Sequence, residues 1–408
     1  MRSTKEEGGL RILLVHNHYG LAAPSGENRV FELERDLLIR NGHEVETFER
    51  HSDELRARGS MGLVSGALMT PWNFSAAREV HDAVQRFRPE VVHAHNTFPM
   101  LSPSVFVGAR GTARVLTLHN YRLVCPAAIP MRNGQVCTDC MDTRSTWPAL
   151  RHGCYRDSRL ATVPLATSVM LHRWLGTWVK NVDAFIALSD FQKEVMSASG
   201  LSADHVHVKP NFYQGSPAVV PMLDREPYVV YVGRLTAEKG METLLRAWRA
   251  WGQDAPELRL LGDGGLRKKL EQMTANLPVR FLGQVSSEEA QVQIARARML
   301  VLPSEWFETF GLVVVEALAH GTPAAVSKIG ALPSIVKHGS NGVVFSPANP
   351  ESLLQEVRTA WETPGALEYM GQGARSEFEE RYTEDVNYRM LMDIYEDAIA
   401  TNQGRKQA

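Results

Sequence analysis

The stretch "YVVYVGRLTAEKGMETLLRAW", Tyr228–Trp248, decides the fold. A β-branched apolar run stops at Gly233, a short loop carries Arg234 and Lys239, and a helix-forming run follows Gly240. Strand, loop and helix in that order form the repeating unit of a parallel sheet flanked by helices. Such sheets place function at the carboxyl ends of their strands. The rhythm continues downstream in "LRLLGDGG" (258–265), "VRFLGQV" (279–285), "MLVLPS" (299–304) and "PAAVS" (323–327). It also runs upstream, through "RILLVHN" (11–17), an amphipathic helix in "SGENRVFELERDLLIRNGHEV" (25–45), "RPEVVHAHN" (88–96), "ARVLTLHN" (113–120) and "VDAFIALS" (182–189).

At 408 residues the chain is too long for one ordinary core. We read an N-terminal Rossmann-like domain over 9–212, a Pro/Gly-rich linker at 213–226 and a C-terminal Rossmann-like domain over 227–380. A last helix, 381–402, packs back on the first domain. The formal net charge of -2 argues against a dedicated nucleic-acid binder. The N-terminus lacks the apolar core of a signal peptide, and no run of about 18 apolar residues offers a membrane span. The expectation is a cytoplasmic protein, with "SMGLVSGALMTPWNFSAAR" (60–78) and the segment around Trp174 and Trp178 as candidate peripheral contacts with the inner face of the membrane.

Three places carry chemistry. Arg234 and Lys239 put a planar fork and a point charge on one strand-end loop, the clamp a diphosphate needs. Gly233 ends that strand, and Gly262 and Gly264 form a second glycine turn where a flat or anionic ligand approaches backbone. In "SEWFETFGLVVVEALAHGTP" (304–323) Glu308 lies in a loop, Gly311 and Leu312 open a helix with free N–H groups, and Glu316 follows a turn later. A helix start attracts phosphate, and the two carboxylates read as handles for the hydroxyls of a nucleotide sugar. Glu316 as a plain surface acid is the competing reading. There is no P-loop and no G-x-G-x-x-G after the first strand, which disfavours a dinucleotide oxidoreductase.

The ordered set "GRLTAEKG", "GDGG" and E-x7-E resembles family 4 of the retaining glycosyltransferases, which have the GT-B fold: two Rossmann-like αβα domains facing across a cleft. The resemblance implies that Arg234 and Lys239 bind the donor diphosphate, that Glu308 holds the donor sugar, that Phe310, Gly311 and Leu312 surround the phosphate, and that Glu316 binds the ribose. "APSGENRV" (23–30) resembles the family's glycine loop, with Ser25 where its first glycine usually stands and Gly26 retained. "TLHN" (117–120) resembles its His-Asp element. His119 is then the active-site histidine, and Asn120 replaces the usual aspartate. The implied donor is a UDP- or GDP-type nucleotide sugar, used without a catalytic divalent metal. The implied acceptor is a glycan or lipid-linked acceptor in cell-surface polysaccharide assembly, a setting that "LHNYRLVCP" and "HGCYRDSRL" also resemble.

All four cysteines, Cys125, Cys137, Cys140 and Cys154, fall within 125–154 around one C-x2-C knuckle. Four thiolates suit a structural zinc; reduced thiols are the alternative. Two rival functions stay open: a nucleotide-sugar epimerase on the same fold, and a catalytically silent scaffold that binds nucleotide sugar.

Overall fold

The computed structural model describes residues 9–20 and 25–407. They divide into two compact units. One comprises the described residues up to Ile129, Thr138–Lys209 and Tyr388 onward; the other comprises Pro130–Cys137 and Pro210–Asn387. This corrects the expected boundaries in two places. The change of unit comes at Lys209/Pro210, and Glu226 already opens a strand, so the connection both starts and ends earlier than 213–226. The small hairpin of Met131–Arg132 and Gln135–Val136, in the middle of the cysteine-rich stretch, groups with the second unit.

The first unit holds a six-stranded parallel sheet in the order Glu44–His51, Arg11–His18, Val91–Asn96, Ala113–Leu118, Ala184–Ala187, Val206–Val208. The strands Val91–Asn96 and Ala113–Leu118 are buried throughout, as strands of a parallel sheet covered on both faces are, and the first buries His93, His95 and Asn96 with its valines. The strand order reverses between Arg11–His18 and Val91–Asn96, and there the register slips so that His16 pairs with Asn96. A crevice at the carboxyl ends of these strands is where an open α/β sheet binds ligand.

The final helix, Glu384–Gln407, enters this core through Leu391, Ile394, Tyr395 and Ala398, packed with Ile12, Phe31 and Val115. Each such fully buried large side chain contributes about 1.5–3 kcal/mol. Arg405 on the same helix reaches Asp183 at 3.0 Å, and Asp183 also pairs with Arg114. The helix Arg159–Trp174 is capped by Ser158 and runs through Pro164. The carbonyl this proline leaves without its helical donor belongs to Leu160, an exposed residue in the first turn.

The second unit repeats the plan in the order Val279–Gly283, Glu257–Leu261, Glu226–Val232, Ala297–Leu302, Ala324–Ser327, Gly342–Phe345, again all parallel. Its order reverses between Glu226–Val232 and Ala297–Leu302. The loops leaving those two strands are the Arg234/Lys239 loop and the Ser304–Gly311 loop, so topology alone brings two of the sequence motifs together. Among the described residues no helix is long and apolar enough to cross a membrane.

Candidate functional site

In the second unit the loop after Glu226–Val232 lies directly against the loop after Ala297–Leu302. Glu305 N donates to the Glu238 carbonyl at 2.9 Å, and a Cβ on Gly240 would stand 1.8 Å from the Pro303 carbonyl oxygen. Only glycine permits that approach. The result is a direct ion pair: Lys239 Nζ donates to Glu308 Oε1 at 2.5 Å, and Ser304 Oγ donates to the same oxygen at 2.7 Å. Glu308 is buried, and the Lys239 ammonium also lies 5.4 Å from the centre of the Trp306 ring. The backbone of Glu308 is tied to the next loop, its carbonyl accepting from Ala331 N at 3.0 Å. The clamp lysine and the sugar-handle glutamate are therefore one pre-formed pair. Arg234 stands apart from them, more than half exposed and paired with Glu238 at 3.2 Å.

The glycine turn has an internal reason. A Cβ on Gly262 would meet the Gly233 carbonyl oxygen at 1.9 Å, and one on Gly264 the Leu235 carbonyl oxygen at 2.5 Å. Gly233 N donates to the Leu261 carbonyl, and Leu235 N to the Asp263 carbonyl, so the two loops are stitched backbone to backbone. Gly311 caps the helix Leu312–Ala319 in a left-handed conformation, and Glu316 sits half-buried on its second turn. Phe310 is buried against Tyr382, ring centres 6.1 Å apart, and so packs as core.

In the first unit, Gly26 is exposed at the start of the helix Gly26–Arg40, while Ala23 and Pro24 of the expected glycine loop lie outside the described residues. His119 belongs to a buried polar chain. Its Nε2 is 3.1 Å from His95 Nδ1, His95 Nε2 is 3.1 Å from Glu34 Oε1, and Lys209 Nζ donates to Glu34 Oε2 at 2.9 Å. His93 joins from the side, bonded to Tyr395 OH and Thr117 Oγ1. Burial alone pushes Glu34 up, but Lys209 and the neighbouring histidines outweigh it and hold the carboxyl well below its usual range. Burial holds His119 well below the ordinary imidazole value, and takes His93 down to about 4. His119 is thus a neutral imidazole at pH 7. It lines a small cavity of about 60 Å³ with Asn96, Thr97, Asn120 and Arg122.

Asn120 in the aspartate position has a local cause. Its Nδ2 donates to Glu27 Oε1 at 2.9 Å, and its Oδ1 accepts from Arg122 N. Burial raises the Glu27 carboxyl, so a second carboxylate at position 120 would face it as a like group. Glu27, Glu34 and Lys209 were not expected at a site. Glu34 carried a readable signal: it stands between Phe31 and Leu37/Leu38 on the helix's apolar face, where a charge needs a partner. Lys209 carried none.

None of the four thiols is in a disulfide; Cys140 is buried, and burial raises Cys125 to about 12. Among the described residues, no three of the cysteine sulfurs come within 4.8 Å of one another, so as placed they do not form a tetrahedral zinc set.

Residues 25–214 match the family described as Glycosyltransferase Family 4, and residues 217–377 match Glycosyl transferases group 1. An uncharacterised glycosyltransferase of Methanocaldococcus jannaschii is 35% identical over 181 residues, 43% of this chain and 46% of its own length. The sulfoquinovosyl transferase of Arabidopsis thaliana is 27% identical over 326 residues, 76% of this chain and 57% of its own. The chain thus spans about half the length of these curated relatives. Among solved structures, sucrose-phosphate synthase from Thermosynechococcus elongatus superposes with a TM-score of 0.70 at 18% identity, over 96% of this chain and 99% of its own. Anabaena HepE in complex with UDP and glucose does so with a TM-score of 0.64 at 18% identity, over 94% and 98%. At that identity the likeness speaks to the fold, two doubly wound α/β domains of GT-B type. With the two family matches following each other along nearly the whole sequence, the chain belongs to the family 4 glycosyltransferases.

Proposed function

We propose that the protein is a retaining glycosyltransferase that moves a sugar from a nucleoside-diphospho-sugar to a glycan or lipid-linked acceptor in cell-surface polysaccharide assembly, at the cytoplasmic face of the membrane. The observation that carries the reading is the Lys239–Glu308–Ser304 constellation at the switch point of the second sheet, beside the start of the helix Leu312–Ala319. A UDP-sugar is supported as donor by the likeness to a protein bound to UDP and glucose.

In this reading the donor's C1–O bond breaks, positive charge grows on the sugar ring and negative charge on the departing diphosphate. Lys239, Arg234 and the N–H groups at Gly311 and Leu312 take up that charge, each worth roughly 2–4 kcal/mol in a dry site. No divalent metal is needed for that work. Glu308, paired with Lys239 and held by Ser304, accepts from the sugar's hydroxyls, and Glu316 accepts from the ribose diol. The acceptor oxygen attacks C1 on the face the leaving group vacates, and its proton passes to a phosphate oxygen. The first unit supplies the acceptor side, with neutral His119 as a hydrogen-bonding imidazole.

The test is a thermal-shift screen against UDP-, GDP-, ADP- and TDP-sugars, with and without EDTA, on the wild type and on Glu316→Ala. A nucleotide-specific, EDTA-insensitive shift that disappears in the variant supports the reading. No shift with any donor would overturn it.

A further inference from the structure

Two helices of the first unit expose an apolar face that its core does not use. In Gly59–Met69, Met61 is 76% exposed, Leu63 64% and Leu68 74%; in Arg159–Trp174, Leu160 is 86% and Trp174 82% exposed. No charged residue occurs from Gly59 to Ala77. Scattered exposed leucines are ordinary, but a contiguous apolar face on two helices that contact each other is not.

Between these helices lies a cavity of about 360 Å³, within the size range of ligand sites. Its apolar wall includes Leu55, Leu63, Ala67, Leu160 and Pro164. Among the described residues the charged side chains lining it are Arg156 and Arg56, the latter paired at 3.1 Å with Asp53, which stands outside the lining. From Ser158 to Val182 the chain carries Arg159, Arg173 and Lys180 and no acid. The cavity also shares Thr70, Phe98 and Leu165 with the small cavity that holds His119, so the two adjoin.

An apolar slot with cationic side chains, set in an apolar outer face and adjoining a cavity that presents Asn96, His119 and Asn120, is complementary to one kind of molecule: a lipid chain joined through phosphate to a polar head. We propose that this cavity takes the chain of a lipid-phosphate-linked acceptor. The phosphate is held by Arg56 and Arg156, the head group points toward His119, and Met61, Leu63, Leu68 and Trp174 lie in the boundary layer of the bilayer. The proposal deepens the transfer reading by naming its acceptor class and rests on it for the word acceptor.

Flotation tests it with the full chain and no donor. The probes are vesicles of phosphatidylcholine, of phosphatidylcholine with phosphatidylglycerol, and of phosphatidylcholine with undecaprenyl phosphate at matched surface charge. The wild type is expected to bind both anionic vesicles, and the undecaprenyl phosphate vesicles more tightly. Leu63→Asp with Leu160→Asp, both at exposed positions, should lower affinity for either by about tenfold or more. Ala67→Trp, or Ala161→Trp if the first fails to fold, should plug the slot and remove only the preference for undecaprenyl phosphate. Equal binding of the two anionic vesicles by the wild type, or plugged variants that keep the preference, would overturn the proposal. Vesicle binding lost while donor shifts persist sinks this inference alone; vesicle binding with no donor shift sinks the transfer reading and keeps the lipid site.

Discussion

Glu34→Gln is the perturbation with the largest expected effect for the smallest change of shape. The introduced amide keeps an oxygen for His95 and removes the negative charge that Lys209 meets at 2.9 Å. Both partners are essentially out of solvent, so screening gives little relief. At that distance a full charge pair is worth about 6 kcal/mol gross with an effective dielectric constant near 20. What the experiment reads is the cost of stranding a buried ammonium, about 3–5 kcal/mol. For a unit of this size that corresponds to roughly 6–20 °C in Tm. The assay is urea or thermal unfolding of Glu34→Gln, Lys209→Met and the double variant. The double variant, with neither charge left to strand, is expected to be less destabilised than the sum of the singles by at least about 2 kcal/mol. A Glu34→Gln cost below about 1 kcal/mol, or strict additivity, would refute the buried pair and with it the account of how His95 and His119 are oriented.

Acidification should act on the same unit. His16, taken down to about 3 by burial, His93 at about 4 and His119 are neutral when folded and protonate near 6.5 when unfolded. The unfolded chain therefore binds more protons below pH 6.5, and stability falls as pH falls through that value toward 4. Each histidine costs about 1.4 kcal/mol at pH 5.5 relative to neutral pH, near 4 kcal/mol together; a flat stability profile between pH 7.5 and 5.5 would contradict this. Gly262→Ala, by driving a methyl into the Gly233 carbonyl, should cost about 2 kcal/mol or more and weaken any donor shift; a variant as stable as wild type would show the loop contact to be slack. With a thiol reagent, Cys125 should react well below the rate of a solvent-exposed model thiol, because burial raises it to about 12. Release of stoichiometric zinc during that titration would instead assign the thiolate metal site.

What the sequence made legible was periodicity and residue type. The short β-branched stretches at 91–96, 113–118 and 228–232 read as parallel strands, and the glycine and cationic punctuation after Val232 marked where a ligand belongs. Pairing across the sheet was not legible. Lys239 and Glu308 were each recognisable as functional types, but they lie 69 residues apart, and only the strand order at the switch point makes them one ion pair. Gly262 was read as room for a ligand, yet its nearest demand comes from the carbonyl of Gly233. A glycine motif near a phosphate site can thus be held by the fold's own backbone before any ligand arrives. Glu34 and Lys209 show the same limit from the other side. A lone charge on an apolar helix face announces that a partner exists, but the partner sits 175 residues away, just after the sheet's strand Val206–Val208. Placing the ammonium there couples the order of the histidine chain to completion of the whole first unit, its last helix included, since Tyr395 bonds His93. A first unit lacking that helix would lose more than the apolar contacts of Leu391 and Ile394: His93 would lose the hydroxyl that bonds its Nδ1, and the chain ending at His119 would be the first part of the unit to lose its order.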